Sequence, residues 1–226
     1  MQVKKEIHEP EPFARTRAFF KGLVSGRPLH EVSLAVLRDI GLPQEKQHEH
    51  VRKLSAGLTP EDAYEALRYG MIECPKAEEA LSEAAVRSSQ PDLMAGLLVS
   101  GRIRSHRSQE MLAGRLLQLS RSGDRDACGF SAYLILMVGR VGSPAAEESL
   151  ARIILENGLG GRACELLTSR NEYSVGAQHI LAEAIPGDLA LMHRIILRGR
   201  IASEIARKLC VSMPRICVPI GEDAGG

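Results

Sequence analysis

Four stretches of this chain share one pattern. Each is a glycine, then arginine or methionine, then isoleucine or valine: Gly70-Met71-Ile72, Gly101-Arg102-Ile103, Gly139-Arg140-Val141 and Gly199-Arg200-Ile201. The third, with the residues around it from Leu136 to Leu155, reads as a buried helix end, a tight turn and a second helix with one apolar stripe. Sliding the third onto the second, a shift of 38, brings Leu150 onto Leu112, Ile154 onto Leu116 and Leu155 onto Leu117. Glu147 and Glu148 then fall on Gln109 and Glu110. A shift of 31 brings the second onto the first and Leu112 onto Leu81. Such spacing predicts stacked helix pairs, because one pair cannot bury both of its faces alone.

The central unit is the clearest. "SAYLILMV", Ser131 to Val138, is almost wholly apolar and predicts a helix buried on all sides. Its neighbour, Pro144 to about Glu156, is striped. Ala146, Leu150, Ile153 and Ile154 should face inward, with Glu147, Glu148 and Arg152 in water. Ser143-Pro144 reads as a helix start and Asn157-Gly158 as a stop. "TPEDAYEAL" opens an earlier helix, with Thr59 as N-cap, Pro60 in the first turn, and Glu61 and Asp62 at the positive end of the dipole.

The run Gly139-Arg140-Val141-Gly142-Ser143-Pro144-Ala145, after the helix in "GDRDACGFSAYLILMVG", resembles the turn of HEAT-like repeats of bacterial α-solenoids. The resemblance is good for this unit and looser for about three more, over roughly residues 59 to 210. It implies an all-α fold: a short right-handed α-solenoid of HEAT-like helix pairs, or an irregular helical-repeat bundle. It also implies a scaffold that binds partners, usually without catalysis, and it fixes no ligand. The expected divisions are a flexible arm over 1–12, an N-terminal helical segment over 13–58, helical repeats over 59–211 and a tail over 212–226. Within the second, Phe13–Val24 and Leu29–Ile40 read as helices, the latter stopped by Gly41. Ile216, Val218 and Ile220 give the tail a few apolar groups to dock with.

Aromatic residues make up only 4% of the chain, with no Trp, so the core must be built from Leu, Ile, Val, Ala and Met. No run approaches the roughly 18 apolar residues of a membrane span. A net charge of +1 gives the whole molecule no strong field for nucleic acid or membrane. The five cysteines are odd in number and have no close pairs. With the charged start "MQVKKEIHEPEPF", they point to a reduced, cytoplasmic setting. Cys128, Cys164 and Cys210 read as small core residues.

Charge is concentrated locally. One cluster holds Arg102, Arg104, His106 and Arg107; a second holds Arg194, Arg198, Arg200, Arg207 and Lys208. As a functional reading, guanidinium forks take carboxylates or phosphates. As a structural reading, each glycine of the Gly-Arg pairs closes a helix in the left-handed conformation while the arginine is solvated. A terminal pair also has a face that no neighbour covers. The expected site is therefore a partner-binding surface on these eight Arg and Lys residues, with a protein partner, no catalytic residue, no cofactor and no metal. Nucleic acid is the alternative partner, though aromatic residues for base stacking are missing. A base-excision enzyme on the same scaffold is a weaker alternative. His48-Glu49-His50 gives little metal signal, since i and i+2 diverge on a helix. His179 and His193 lie on successive helices; the expectation is one partly buried and one at the surface.

Overall fold

The computed structural model of the protein describes residues 48–49, 51–52, 57–70, 72–123, 125–169, 171–185, 189–198, 201–202 and 204–205. The expected arm over 1–12, the helices Phe13–Val24 and Leu29–Ile40, and the tail over 212–226 lie outside the described residues. The described part is all-helical, with no strand. Its elements are α1 Pro60–Tyr69, α2 Pro75–Ala85, α3 Pro91–Ser100, α4 His106–Ser122, α5 Arg125–Val138, α6 Pro144–Glu156, α7 Gly160–Leu167, α8 Val175–Glu183 and α9 Leu189–Arg198.

Local chemistry sets the boundaries. Pro opens α1, α2, α3 and α6, where its missing N–H costs nothing and its φ suits the first turn. Thr59 caps α1, as the start signal predicts, and Asp62 reaches back to complete a reciprocal capping box. The Ser143 hydroxyl caps α6 by accepting from Ala146 N. Asn157 ends α6, its side-chain amide donating back to Ile153 O at 2.6 Å.

The odd-numbered helices pack in sequence: α1 on α3, α3 on α5, α5 on α7, α7 on α9. The even-numbered helices do the same, α2 on α4, α4 on α6 and α6 on α8. Among the described residues, every substantial helix contact joins helices one or two places apart in the chain. The core runs continuously between the two rows and includes Leu81, Leu97, Leu112, Leu116, Ile135, Leu136, Leu150, Ile154, Leu166 and Leu181. Cys128 and Cys164 are buried there; Cys210 is outside the described residues.

The drift in repeat length comes from helix length. Helix α4 has 17 residues where α2 has 11, and α5 has 14 where α3 has 10. The two helices gain ten residues while the connection between them shortens by three, which gives the difference of seven between 31 and 38.

Two expectations need correction. Helix α5 is not buried on all sides: Ile135 and Leu136 are fully buried, but Phe130 is 52% exposed, Leu134 38% and Val138 43%. These three are four residues apart and share a face. Among the described residues the helices that pack on α5 are α3, α4, α6 and α7, and they leave these three side chains exposed. Nor does Glu147 reach water. It is buried, for the reason given next.

Candidate functional site

The turns inside the helix pairs are where polar side chains converge. In α2, Glu78 accepts Arg104 N at 3.1 Å and Ser105 N at 2.8 Å, both from the turn between α3 and α4. In α4, the Gln109 carbonyl accepts Gly142 N and Ser143 N, each at 2.9 Å, while its amide donates to Ile103 O at 2.8 Å. In α6, Glu147 accepts Ser174 N at 2.7 Å. In α8, Gln178 accepts Ala202 N at 2.8 Å and donates to Tyr173 O at 2.8 Å. All four side chains are buried. Each sits three residues past the first residue of its helix and ties down the turn of the next pair. The following residue adds a second link in two cases: Glu79 accepts the Ser105 hydroxyl at 2.9 Å, and Glu110 the Ser143 hydroxyl at 2.7 Å.

Gly101 and Gly139 take φ of 66° and 65°, the left-handed closure expected of them. Gly199 is outside the described residues. Each of the two described turns is roofed by a side chain from the next pair. Arg140 lies across Gly101 and donates to Ser100 O at 3.0 Å, so this arginine ties helix ends together and is not simply solvated. Asn171 lies across Gly139 and donates to Leu136 O at 3.1 Å and Met137 O at 2.8 Å. At the turn between α1 and α2, Arg102 lines an open cleft of about 380 Å³ together with Gly70, Glu73 and Arg104.

The Tyr173 hydroxyl donates to Leu136 O at 3.2 Å beside Asn171. Burial pushes this phenol above its ordinary value, outweighing the hydrogen bonds from Ser169 and Asn171 that act the other way. A raised folded value favours the neutral phenol in the fold. Its stabilising contribution is therefore full below the ordinary phenol range and is lost as pH climbs through the raised value. Denaturant melts at rising alkaline pH should show this loss, and Tyr173→Phe should flatten it. An unchanged slope in the variant would refute the assignment.

The two arginine clusters stay apart. Arg102 and Arg104 sit on the turn between α3 and α4, and Arg107 in the first turn of α4, all three exposed. Arg107 has only a loose ion pair with Glu83, at 4.0 Å between exposed groups, which adds little stability. Arg194 and Arg198 are exposed on α9, one turn apart, flanking Leu197, which is 68% exposed. Met192 and Ile195 of α9 are buried, and so is Ile205. Arg200, Arg207 and Lys208 lie outside the described residues. The pairs carrying the two clusters are separated by the α5–α6 and α7–α8 pairs.

The outer surface of the odd-numbered row carries a further cluster that the sequence reading did not single out. The Tyr133 hydroxyl donates to Glu165 at 2.8 Å, Arg162 pairs with Glu165 at 3.1 Å, and the Arg162 guanidinium stands 4.5 Å from the Tyr133 ring centroid. The Tyr133 hydrogen bond, then that of Arg162, hold the Glu165 carboxyl below the usual range, with Arg194 adding to the field. On α1, Arg68 stacks between Tyr64 and Tyr69 at 5.5 Å from each centroid.

His179 is half-buried and meets Glu204 at 2.5 Å, while His193 is exposed. His48 is half-buried with Nδ1 unpaired, and His50 is outside the described residues. Among the described residues no group of His, Cys, Asp or Glu could hold a metal ion, and no helix is long and apolar enough to cross a membrane. No family model matches the chain, and no curated protein or solved structure shows significant similarity to it.

Proposed function

We propose that this chain is a non-catalytic scaffold of the HEAT-like kind, a short right-handed α-solenoid acting in the cytoplasm and binding a protein partner on its exposed surface. One observation carries the reading: buried Glu or Gln side chains at one helix position tie each pair to the next, in four successive pairs. A fold stabilised by neighbour contacts leaves many of its outward residues out of the packing between pairs. The exposed arginines are then available for recognition, and Arg forks suit the carboxylates of an acidic partner. The contact surface proposed first is the C-terminal cluster with Arg194 and Arg198; the second is Arg102, Arg104 and Arg107.

Arg194→Glu with Arg198→Glu should leave the helical content and melting temperature unchanged. The double variant should lose the partners that the parent chain retains from a lysate of its own host. If it retains them all, the C-terminal cluster is only a solvated face, and the same experiment on Arg102, Arg104 and Arg107 decides whether arginines take part at all. Nucleic-acid binding is separated by a salt series. Affinity for a generic duplex that falls by about 1,000-fold between 50 and 200 mM salt would replace the protein-partner reading with a phosphate-binding one.

A further inference from the structure

Gly101 and Gly139 are roofed by Arg140 and Asn171, and both are left-handed. Gly70 caps α1 in the extended conformation instead, at φ −73° and ψ 160°. Arg102 holds the place after Gly101 that Arg140 holds after Gly139. The atoms nearest to where a Gly70 side chain would stand nevertheless belong to Ala66 and Ile72 of the same pair. Where the other two glycines are roofed, Gly70 borders the open cleft of about 380 Å³. A unit that breaks the rule its neighbours keep is where a functional site is expected.

The cleft carries both charges. Arg102 and Arg104 come from the turn between α3 and α4, Glu73 from the residues between α1 and α2, and buried Glu78 from the first turn of α2. Among the described residues, Arg102 and Arg104 donate only through their backbone N–H, to the Ser100 hydroxyl at 3.2 Å and to Glu78 at 3.1 Å. Both guanidinium groups are therefore uncommitted. Leu67 and Ile72 add apolar surface to the lining. We propose that this cleft binds a free α-amino acid with an aliphatic side chain. Its carboxylate takes the Arg102 and Arg104 forks, its ammonium the Glu73 and Glu78 carboxylates, and its side chain the surface of Leu67 and Ile72. Charge selects this class. A simple anion sets its charge against Glu73 and Glu78, and a simple cation against the two arginines, whereas a zwitterion meets both. The volume falls within the range of small-molecule sites, about 300–1,000 Å³. The inference does not rest on the partner reading, since capture of a small molecule needs no second protein.

Thermal melts of the purified full chain with each common L-amino acid at about 5 mM should single out leucine, isoleucine or valine by a rise of a few degrees, as for any ligand that binds only the folded state. Calorimetric titration with the best of them should give one site per chain. Its des-amino analogue keeps only the carboxylate, and its decarboxylated analogue only the ammonium. Each should bind about 30-fold more weakly or worse, because one set of charge contacts is gone. Arg102→Gln and Glu73→Gln, both at exposed positions, should each weaken binding by about 10-fold or more with circular dichroism unchanged. The absence of a shift with every amino acid overturns the proposal. So does an analogue that binds as tightly as the amino acid, which makes the cleft a plain ion site, and so does binding that survives both substitutions.

Discussion

Leu136→Ala should destabilise the protein by about 2–5 kcal/mol in denaturant unfolding, the range for truncating a buried leucine where the surroundings only partly relax. Leu136 is 1% exposed and belongs to the inward face of α5, on which helices of three pairs converge. Its backbone carbonyl also receives Asn171 and Tyr173, so the chain around it has little freedom to close over the void. Leu197→Ala is the matched control: the same truncation at an exposed site should cost under about 0.5 kcal/mol. Equal losses in the two variants would refute the assigned core.

Gln109→Leu should be at least as damaging, by about 3–6 kcal/mol, although the residue is polar and the substitution adds apolar surface. Gln109 serves three backbone groups at once: Gly142 N, Ser143 N and Ile103 O. Leucine would strand Ser143 N and Ile103 O in a buried place and Gly142 N in a part-buried one, at roughly 1–3 kcal/mol for each unsatisfied group. Gln109→Glu should cost less, since a carboxylate still accepts the two N–H groups, as Glu78 does in the preceding pair. It loses only the donor to Ile103 O. If leucine proves harmless, the polar links are incidental and packing alone joins the pairs.

The repeat register was legible in the sequence. The Gly101-Arg102-Ile103 and Gly139-Arg140-Val141 stretches are turns within pairs, and overlaying Glu147 and Glu148 on Gln109 and Glu110 put equivalent residues together. The roles of those residues were not legible. An acidic residue in the first turn of a helix reads as a solvated group near the dipole. Glu147 is buried because the turn ending at Ser174, 27 residues on, supplies an N–H that needs an acceptor. Periodicity within α6 carries no trace of that donor. Helix α5 shows the converse. Uniformly apolar sequence states that the helix can be buried everywhere, and only the packing shows which side lacks a neighbour. Arg140 was legible as a recurring Gly-Arg pair, but its bond to Ser100 O depends on Gly101 leaving room for the side chain.

The amides of Gly142, Ser143, Ser174 and Ala202 are held by side chains of the preceding pair, not by their own helices. Their exchange with solvent deuterium therefore times the parting of two neighbouring pairs, while amides in the middle of a helix time the melting of that helix. If the pairs separate while still helical, these four protons exchange ahead of the helices they precede. If a pair melts whenever it separates, both sets exchange together. The four amides thus turn three successive boundaries between pairs into separately readable clocks.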